Sequence, residues 1–411
     1  MKVTKIEVHE IQAAYEDWAA YQLNHYYGPH RRTVYVVHTD DGLEGLGEGH
    51  APEPQEVQEK YLGTSPFDWI GDETSLGLGT AMYDLMGKAV GVPVYKLIGA
   101  KCRSWVPVGS WTVSTAPKRM AEAVEQYADA GYTWLKFHLS PFENVFDQTE
   151  AMQKVAPPGF KLHYDFTMHG TDDHMPRLLE RLAKFPIAGC FEDPLPAKDL
   201  PGMIELRKRS PLPVVLHHSP LGFTYDVLMG AADIYMLGHS PIGRAIRAAG
   251  LFAAGNIPFM LQNTGGHITR AMTCHLMASF PSATFHFIGD TEIFAEDVTR
   301  ERLLPVNGFV RVPEGPGLGV TLDREKLERL ETQDLPRQSQ WIVKSRFANT
   351  TRMYHVHDPD DSLFMVRPDK ARQISFRYDS PIETEYWDDD GSEQYRQTFD
   401  RIKREGMILE R

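Results

Sequence analysis

The strongest constraint on the fold is an alternation of short apolar segments with helix-like segments from about residue 105 to residue 289. In chain order the apolar segments are WVPVGSW, TWLKFHL, FKLHYDF, AGCFEDP, LPVVLHH, DIYMLGH, IPFMLQN and ATFHFIG. Helix-like segments lie between them, such as APKRMAEAVEQYADAG, DHMPRLLERLAKF and GRAIRAAGLFAAG. Such a succession of strand–helix units predicts an α/β fold with a closed parallel sheet, a TIM-type (β/α) barrel in a modified form.

Residues 1–104 have a different pattern, in which strands come first and helices follow. KVTKIEVHEIQ and RRTVYVVHTDDGLEGLGEGH read as strands, with Asp41-Gly42 at a hairpin turn. TAMYDLMGKAVG reads as a helix that is closed by a glycine and a proline. We therefore predict an N-terminal α+β capping domain over residues 1–104 and a catalytic barrel domain over residues 105–328.

Residues 329–411 form a C-terminal extension that we expect to return in part to the capping domain. QWIVKSRF, SLFMVRP and QISFRYDS are candidate strands, and the acidic WDDDGSEQ precedes a helix-like YRQTFDRIKREG. The extension could cover the barrel, extend the substrate pocket or mediate oligomerisation, and the sequence leaves these three roles open.

The charge of the chain excludes two classes of partner. Its formal net charge is −13 and it has no basic cluster, whereas nucleic acids and anionic membranes need a positively charged surface. No apolar stretch reaches the roughly 18 residues of a membrane span. Cys102, Cys190 and Cys274 are widely spaced and odd in number, which favours free thiols in a reducing compartment. We expect a cytoplasmic homo-oligomer that binds neither nucleic acid nor membrane.

Ionisable side chains occur at the carboxyl ends of consecutive predicted strands. Lys136 and His138 lie two positions apart in YTWLKFHLSP, so both project to one side of their strand. The next three strands end at Asp165, Glu192 and His218. In a barrel of this type the carboxyl ends of the strands form one mouth, where catalytic groups lie. Two carboxylates and a histidine at successive strand ends also suit a cation site.

Four longer motifs carry a resemblance to a known family. They read HTDDGLEGLGEGH in the capping domain, AMYDLMGKAVGVPVYKLIGAK at its junction with the barrel, FEDPLP after the fourth strand and VPEGPGLGVTLD after the barrel. With them the chain resembles the enolase superfamily, in its mandelate racemase/muconate lactonizing group, from residue 1 to about residue 328. The resemblance implies the same fold and a metal-dependent enzyme that removes the proton next to a substrate carboxylate.

The resemblance implies two metal carboxylates, Asp165 in HYDFT and Glu192 in FEDP. The third carboxylate of the family is replaced, because VVLHHSPLG has His218 at its place and His217 where glycine is usual. Mg²⁺ prefers oxygen ligands, whereas imidazole suits Zn²⁺, Mn²⁺ or Fe²⁺. The expected cofactor is a divalent metal, Mg²⁺ as in the family or Mn²⁺ or Zn²⁺ because of His218. In a further alternative the metal is lost and the histidines bind substrate directly.

The resemblance also implies that Lys136 and His138 form the acid/base pair, with the lysine acting as a neutral base beside a cation. Racemases of this group need a second base on the opposite face, but Gly238 and Gln262 or Asn263 stand at its usual places. A one-sided elimination needs only the second strand. This favours a hydro-lyase, a dehydratase that acts on a hydroxylated acid.

Two alternatives stay open. A racemase, epimerase or cycloisomerase could use His217, His218 or His239 as its second base. A barrel that has lost its activity could keep the fold and bind only a ligand or a partner, because fold does not determine function.

The expected substrate is a small carboxylate similar to a sugar acid. The predicted capping loop YQLNHYYGPHRR is rich in side chains that suit hydroxyl groups, and NTGGH after the seventh strand could place another histidine over the mouth. The expected substrate-binding residues are Asn24, His25, Tyr26, His30, His217, Gln262, Asn263 and His267.

Overall fold

The computed structural model describes residues 1–168, 170–171, 173–196, 198–218, 222–336, 340–347, 351–356 and 377–410. The elements of its N-terminal part are β1 (Val3–Ala13), α1 (Asp17–Tyr26), β2 (His30–Thr39), β3 (Glu44–Gly49), α2 (Gln55–Tyr61), a 3₁₀ helix (Pro66–Trp69), α3 (Leu76–Val90) and α4 (Tyr95–Ile98). The strands form an antiparallel sheet in the order β1-β2-β3. This arrangement confirms the predicted α+β character of the N-terminal part.

The hairpin turn and the ends of α3 follow from the local sequence. Gly42 has a φ of 83° at the predicted Asp41-Gly42 turn, in the left-handed region that glycine adopts without strain. The Ser75 hydroxyl accepts a hydrogen bond from the Leu78 N–H and so caps the start of α3. The helix ends at Gly91, which is also left-handed with a φ of 72°.

Parallel strands form a closed barrel in the described chain, as predicted. Its eight strands are β4 (Trp105–Val113), β5 (Trp134–His138), β6 (Lys161–Asp165), β7 (Ala188–Glu192), β8 (Val214–Leu216), β9 (Ile234–Gly238), β10 (Phe259–Gln262) and β11 (Phe287–Ile288). Each strand pairs with its neighbours along the chain, and β11 pairs with β4 through Ile288 and Gly109, which closes the sheet. The carboxyl ends of all these strands therefore surround one mouth.

Within the described residues, α-helices follow the first seven barrel strands. They are α5 (Pro117–Asp129), α6 (Val145–Val155), α7 (Met175–Leu182), α8 (Leu200–Arg209), α9 (Phe223–Met229), α10 (Ile242–Ala254) and α11 (His267–Ser279). A 3₁₀ helix at Thr291–Ile293 follows the eighth strand instead, which is the modification of the standard pattern. β12 (Phe309–Arg311) then pairs antiparallel with β4, and α12 (Arg324–Thr332) returns to the capping sheet, where Glu331 contacts His9 at 3.0 Å.

The described part of the C-terminal extension contains an antiparallel sheet and a helix. Its elements are β13 (Trp341–Phe347), β14 (Arg352–Val356), β15 (Ile382–Asp388), α13 (Glu393–Glu405) and β16 (Ile408–Glu410). The strand order is β15-β13-β14-β16. QWIVKSRF and YRQTFDRIKREG form the predicted strand and helix. SLFMVRP and the first half of QISFRYDS lie outside the described residues, and residues 377–380 form a turn where a strand was expected.

A buried ion-pair network joins the capping sheet to the barrel. Arg32 of β2 donates to Glu48 of β3 at 2.7 Å and to Asp297 at 3.1 Å. Glu48 also accepts from the Gly266 N–H at 2.8 Å and from the Thr269 hydroxyl at 2.9 Å, at the start of α11. Because buried charges require partners, this network fixes the capping sheet beside the end of the seventh strand.

The cysteines are free thiols, as expected. Cys102 is exposed, and Cys190 and Cys274 are buried. Among the described residues, the helices are all too short or too polar to cross a membrane. The domain boundaries near residues 104 and 328 stay predictions.

Candidate active site

Four of the predicted residues meet at the mouth of the barrel. Lys136 and His138 project from the same side of β5, Asp165 is the last residue of β6, and Glu192 is the last residue of β7. The parallel register places His138 next to Asp165 and Asp165 next to Glu192. The regular succession of strands therefore brings these side chains together.

The Lys136 ammonium lies between the two carboxylates. Its Nζ is 2.8 Å from both oxygens of Glu192, 3.0 Å from Asp165 Oδ2 and 2.7 Å from the side-chain oxygen of Gln262. The side chain is completely buried. Burial opposes its charge, but the two carboxylates outweigh burial and raise the pKa of Lys136. The surrounding carboxylates therefore favour the charged ammonium in this arrangement, and the neutral lysine base stays a prediction.

His138 is neutral, in contrast to the charged Lys136. Its Nε2 lies 3.0 Å from Asp165 Oδ2 and 3.4 Å from the indole nitrogen of Trp111. Burial lowers the pKa of His138 below its ordinary value, although Asp165 acts in the opposite direction. Burial and Glu192 oppose the ionisation of Asp165, but Lys136 and His138 outweigh them and lower its pKa. A neutral imidazole thus lies beside an ionised carboxylate, an arrangement that suits a general base.

Glu192 also contacts His163, a histidine that the sequence analysis did not single out. His163 Nε2 lies 2.7 Å from Glu192 Oε2, and His163 Nδ1 lies 3.1 Å from Nε2 of His286. On the other side, His217 Nδ1 lies 3.1 Å from Glu192 Oε1. The sequence did contain a signal for His163, because it lies two positions before the end of β6 and so faces the same way as the carboxylate there.

His218 forms a cluster with Asp193 and His217. His218 Nδ1 lies 2.6 Å from Asp193 Oδ2, and this hydrogen bond raises the pKa of His218. The His217 N–H donates to Asp193 Oδ1 at 2.9 Å. Asp193 is buried, whereas the side chain of His218 is 53% exposed. His218, the expected third metal ligand, therefore faces Asp193 and not the expected carboxylates of Asp165 and Glu192.

These positions do not fit the Mg²⁺ site that the family resemblance implies. Mg²⁺ needs oxygen ligands in near-octahedral geometry at about 2.0–2.1 Å. The point where the oxygens of Asp165 and Glu192 converge holds Lys136 Nζ at 2.8 to 3.0 Å. An imidazole, that of His218, stands in place of the third oxygen ligand. The two carboxylates therefore serve as partners of the lysine in this arrangement.

Comparison with known proteins agrees with the fold. A protein-family model described as enolase C-terminal domain-like matches residues 119–326 of the 411. The chain belongs to this family. The membership of the enolase superfamily that its motifs predicted is thereby confirmed.

Relatives in the enolase superfamily include different kinds of enzyme. Cis-3-hydroxy-L-proline dehydratase of Roseibium aggregatum is 26% identical over 360 residues, which cover 78% of this chain and 96% of that protein. Muconate cycloisomerase 1 of Rhodococcus opacus is 25% identical over 266 residues, which cover 60% of this chain and 69% of that protein. An enolase of Pseudomonas fluorescens Pf0-1, solved with bound magnesium, potassium and tartrate, has a TM-score of 0.68 at 19% identity, and the match covers 80% of this chain and 92% of that one. These relatives are enzymes, but of more than one reaction class.

On the other side of the mouth, His239 pairs with a histidine of the capping sheet. His239 Nδ1 lies 3.2 Å from Nε2 of His50, and the Thr264 hydroxyl lies 3.2 Å from the same His50 nitrogen. Burial, and then the neighbouring His50, lower the pKa of His239 to about 3. The sequence analysis missed His50, because it follows a strand of the capping domain and no local pattern connects it with the barrel.

The two amides after the seventh strand have different partners. The Gln262 side-chain oxygen accepts from Lys136, so Gln262 belongs to the central cluster. Asn263 Nδ2 donates to the Thr273 hydroxyl at 3.0 Å, on helix α11. Of the two, the structure brings only Gln262 into contact with the predicted base pair.

The segment expected as a capping loop is helical up to Tyr26, so that expectation is wrong. The buried residues of α1 are Ala19, Gln22, Leu23, His25 and Tyr26. They recur at helical spacing, so the helix buries one face against the rest of the protein. Asn24 lies between them and is partly buried. His25 Nε2 lies 2.8 Å from Asp388 Oδ1, and its ring stacks on Tyr386 at 4.3 Å, so His25 contacts the C-terminal sheet.

His30 and His267 are packed between the capping sheet and the barrel. The His30 ring lies 5.0 Å from the ring of Phe294, and burial lowers the pKa of His30 to about 3. His267 Nδ1 accepts from the Leu303 N–H at 3.2 Å, and burial lowers its pKa to about 4. Both imidazoles are neutral, and these contacts do not connect them with Lys136.

The C-terminal extension covers the loops after the second and third barrel strands. The Tyr378 hydroxyl donates to the Phe166 carbonyl at 2.8 Å, and the Val145 N–H donates to the Tyr378 carbonyl at 2.7 Å. Burial and the nearby Asp165 raise the pKa of Tyr378. Of the three roles left open by the sequence, these contacts support a cover over the barrel.

A buried acid that the sequence analysis missed follows the eighth strand. Asp290 Oδ1 accepts the N–H of Gly265 at 2.9 Å. Burial raises the pKa of Asp290 to about 7, although Gly265, Arg32 and Arg270 act in the opposite direction. Asp290 directly follows the predicted strand segment ATFHFIG, at the carboxyl end where catalytic groups of such barrels lie, and this position was the available signal.

Replacement of Asp290 by asparagine is expected to shift the pH dependence of stability. The folded protein favours the protonated carboxyl, so this contribution to stability is full below the ordinary pKa of 3.8 and is lost as the pH rises through about 7. Asparagine stays neutral and can still accept the Gly265 hydrogen bond. Between pH 5 and pH 8 the free energy of unfolding of the unmodified protein should therefore fall relative to that of the variant. The fall should be up to roughly 3 kcal/mol, at about 1.4 kcal/mol per pKa unit. Urea unfolding at both pH values checks this, and a difference that is independent of pH would contradict it.

Proposed function

We propose that the protein is a lyase that removes the proton next to the carboxylate of a small hydroxylated acid and eliminates water. The observation that carries this proposal is the neutral His138 imidazole held by the Asp165 carboxylate at the barrel mouth. One relative, which aligns over 96% of its length, is named as a dehydratase of a hydroxylated amino acid, and this favours elimination.

His138 is the base in this proposal. It accepts the α-proton, and Asp165 stabilises the imidazolium that forms. The electron pair of the broken C–H bond is first delocalised into the substrate carboxylate as an enediolate, and it forms the new carbon–carbon π bond when the β-hydroxyl group leaves. The imidazolium returns the proton to the departing hydroxyl, so water is released and His138 ends neutral. Because one side chain handles the proton throughout, the elimination is syn and needs no base on the opposite face.

Lys136 has a positioning role. Its ammonium group is buried and is engaged by Glu192, Asp165 and Gln262, so it does not reach the substrate. Its charge keeps Asp165 ionised, and the ionised carboxylate in turn orients His138.

A divalent cation is the proposed cofactor. When bound, it would neutralise the substrate carboxylate and the negative charge that develops beside it as the proton leaves. Such a cation would supply positive charge for an anionic substrate, because the charge of Lys136 at the mouth is already balanced by two carboxylates.

A sugar-acid-like substrate is favoured by the polar groups at the other side of the mouth. Thr264, His50 and His239 present one hydroxyl and two neutral imidazoles within 3.5 Å of one another. These groups can both donate and accept hydrogen bonds, as substrate hydroxyl groups require.

The second candidate is a racemase, epimerase or cycloisomerase. The neutral His239 imidazole, held by His50, favours it, because a base on that side could exchange a proton with the opposite face of the substrate. A relative named as a cycloisomerase is compatible with this alternative.

Hydrogen exchange at the α-carbon separates the candidates. The protein is incubated in D₂O with a panel of hydroxylated and sugar acids, and substrate and product are analysed by NMR and chiral chromatography. For the lyase we expect a dehydrated product, and deuterium in the recovered substrate with retained configuration. Accumulation of the inverted substrate, lost on His239→Asn, would instead establish the isomerase. Absence of both exchange and turnover across the panel would contradict either enzyme and favour a barrel that only binds its ligand.

A further inference from the structure

One residue of the C-terminal extension contacts the loops after both strands that carry the proposed base and its carboxylate. The Tyr378 carbonyl accepts the N–H of Val145, the first residue of α6, at 2.7 Å. The Tyr378 hydroxyl donates to the carbonyl of Phe166, directly after Asp165, at 2.8 Å. Tyr378 therefore joins the loop after β5, the strand of His138, to the loop after β6.

The surroundings of Tyr378 leave its side chain little freedom. The residue is 1% exposed, and its ring packs edge-on against the ring of Phe166 with the centroids 5.3 Å apart. The carboxylate of the next residue, Asp379, lies 3.3 Å from the guanidinium of Arg181 and 3.6 Å from the imidazole of His174. Arg181 belongs to α7, the helix that follows β6. These contacts fix the position of the Tyr378 hydroxyl relative to the third barrel strand.

The segment directly after β6 has a strained backbone. Thr167 has a φ of 51° and Met168 has a φ of 63°, so two successive residues lie in the left-handed region. This region is unfavourable for residues other than glycine, and most of all for a β-branched threonine. Such strain persists only where surrounding contacts hold it. Here the Tyr378 hydroxyl holds the carbonyl of Phe166, and the Asp193 carbonyl accepts the Met168 N–H at 2.9 Å.

A single peptide group connects Tyr378 with Asp165. The carbonyl of Phe166 and the N–H of Thr167 belong to the same planar unit, so the direction of one fixes the direction of the other. The Tyr378 hydroxyl binds the carbonyl end of this unit. The N–H end donates to Asp165 Oδ1 at 2.8 Å. The extension therefore acts on the carboxylate through one rigid group.

This hydrogen bond determines where the second oxygen of Asp165 lies. Oδ2 is 3.0 Å from His138 Nε2 and 3.0 Å from Lys136 Nζ. Because both oxygens belong to one planar carboxylate, a displacement of the Thr167 N–H from Oδ1 would also turn Oδ2 away from the imidazole.

We propose that Tyr378 is a positioning residue, through which the C-terminal extension holds the Asp165 carboxylate beside His138. The extension lies beyond residues 119–326, which match the family model, so this role is not carried over from the family. It rests on the proposed function, in which His138 is the base. Tyr378 itself does not contact the substrate in this proposal.

The variant Tyr378→Phe removes the hydroxyl and keeps the ring. We expect kcat and the rate of α-proton exchange, on the best acid of the panel, to fall by at least about 10-fold, because small displacements of a catalytic group are costly. KM should stay within about 2-fold, since no contact with the substrate is lost. Tyr235→Phe is the matched control, because this buried hydroxyl also donates to a backbone carbonyl, that of Asp226, at 3.1 Å, but near the start of β9. The control should keep normal turnover.

Amide hydrogen exchange, followed by mass spectrometry, provides a readout without substrate. Residues 166–168 should lose protection by about 5-fold in Tyr378→Phe, the factor that corresponds to one hydrogen bond, and should keep it in Tyr235→Phe. Unchanged protection would overturn the positioning role. So would lost protection with normal turnover, or an equal fall in turnover in both variants. If the unmodified protein neither converts nor exchanges any acid of the panel, the proposed function fails, and the protection of residues 166–168 alone decides whether Tyr378 holds this segment.

Discussion

Replacement of His138 by asparagine is expected to lower turnover by at least about 10²-fold, the usual scale for loss of a general base, while the protein stays folded. Asparagine keeps a polar group beside Asp165 but cannot accept a proton at neutral pH. The measurement is kcat on the best substrate of the hydroxy-acid panel, together with thermal unfolding. In the unmodified protein, kcat/KM should fall as the pH is lowered, because the imidazole must be neutral, and its lowered pKa places this fall below the ordinary histidine value.

His38→Asn is a matched control for this variant. His38 lies in the capping sheet, where its Nε2 is 3.3 Å from Glu7, so it is also a histidine beside a carboxylate. The control should retain turnover. A folded His138→Asn protein with near-normal turnover would rule out His138 as the base and leave the proposed mechanism without a proton acceptor on this strand.

Replacement of Lys136 by methionine is expected to destabilise the protein by about 3–5 kcal/mol, because it leaves two buried carboxylates without their cation. Lys136 is completely buried and contacts Asp165, Glu192 and Gln262, so its removal affects the core and the site together. Urea unfolding at neutral pH measures the effect.

Two further variants distinguish loss of charge balance from loss of the lysine side chain. Addition of Glu192→Gln to Lys136→Met removes one of the unpaired charges and should recover part of the stability. Lys5→Met removes an exposed ion pair with Glu7, with a nitrogen–oxygen distance of 2.6 Å, and should cost less than about 1 kcal/mol. If Lys136→Met were as mild as Lys5→Met, the buried ion pairs would not contribute as the geometry indicates.

The fold and the position of the central cluster could be predicted from the sequence alone. Apolar strand segments alternate with helical ones at regular intervals, and these periodicities are local properties of the chain. Once the strands are known to be parallel, the strand ends at Asp165 and Glu192 must share one mouth with the end of the strand that carries Lys136 and His138. Lys136 and His138 face the same way, because side-chain direction alternates along a strand. His163 could have been found by the same argument.

Charge states and partners were decided only by the tertiary structure. The sequence places Lys136 near a cation site, but its pKa depends on the two carboxylates within 3.0 Å of it, which come from other strands. No local pattern shows that the His239 side chain contacts His50 of the capping sheet. Nor does any local pattern show that Tyr378 of the C-terminal extension donates a hydrogen bond to Phe166, directly after the third barrel strand. Periodicity determines which face of an element a side chain occupies. The pKa and the hydrogen-bond partners of that side chain depend on distances to groups far away in sequence, which only the folded chain defines.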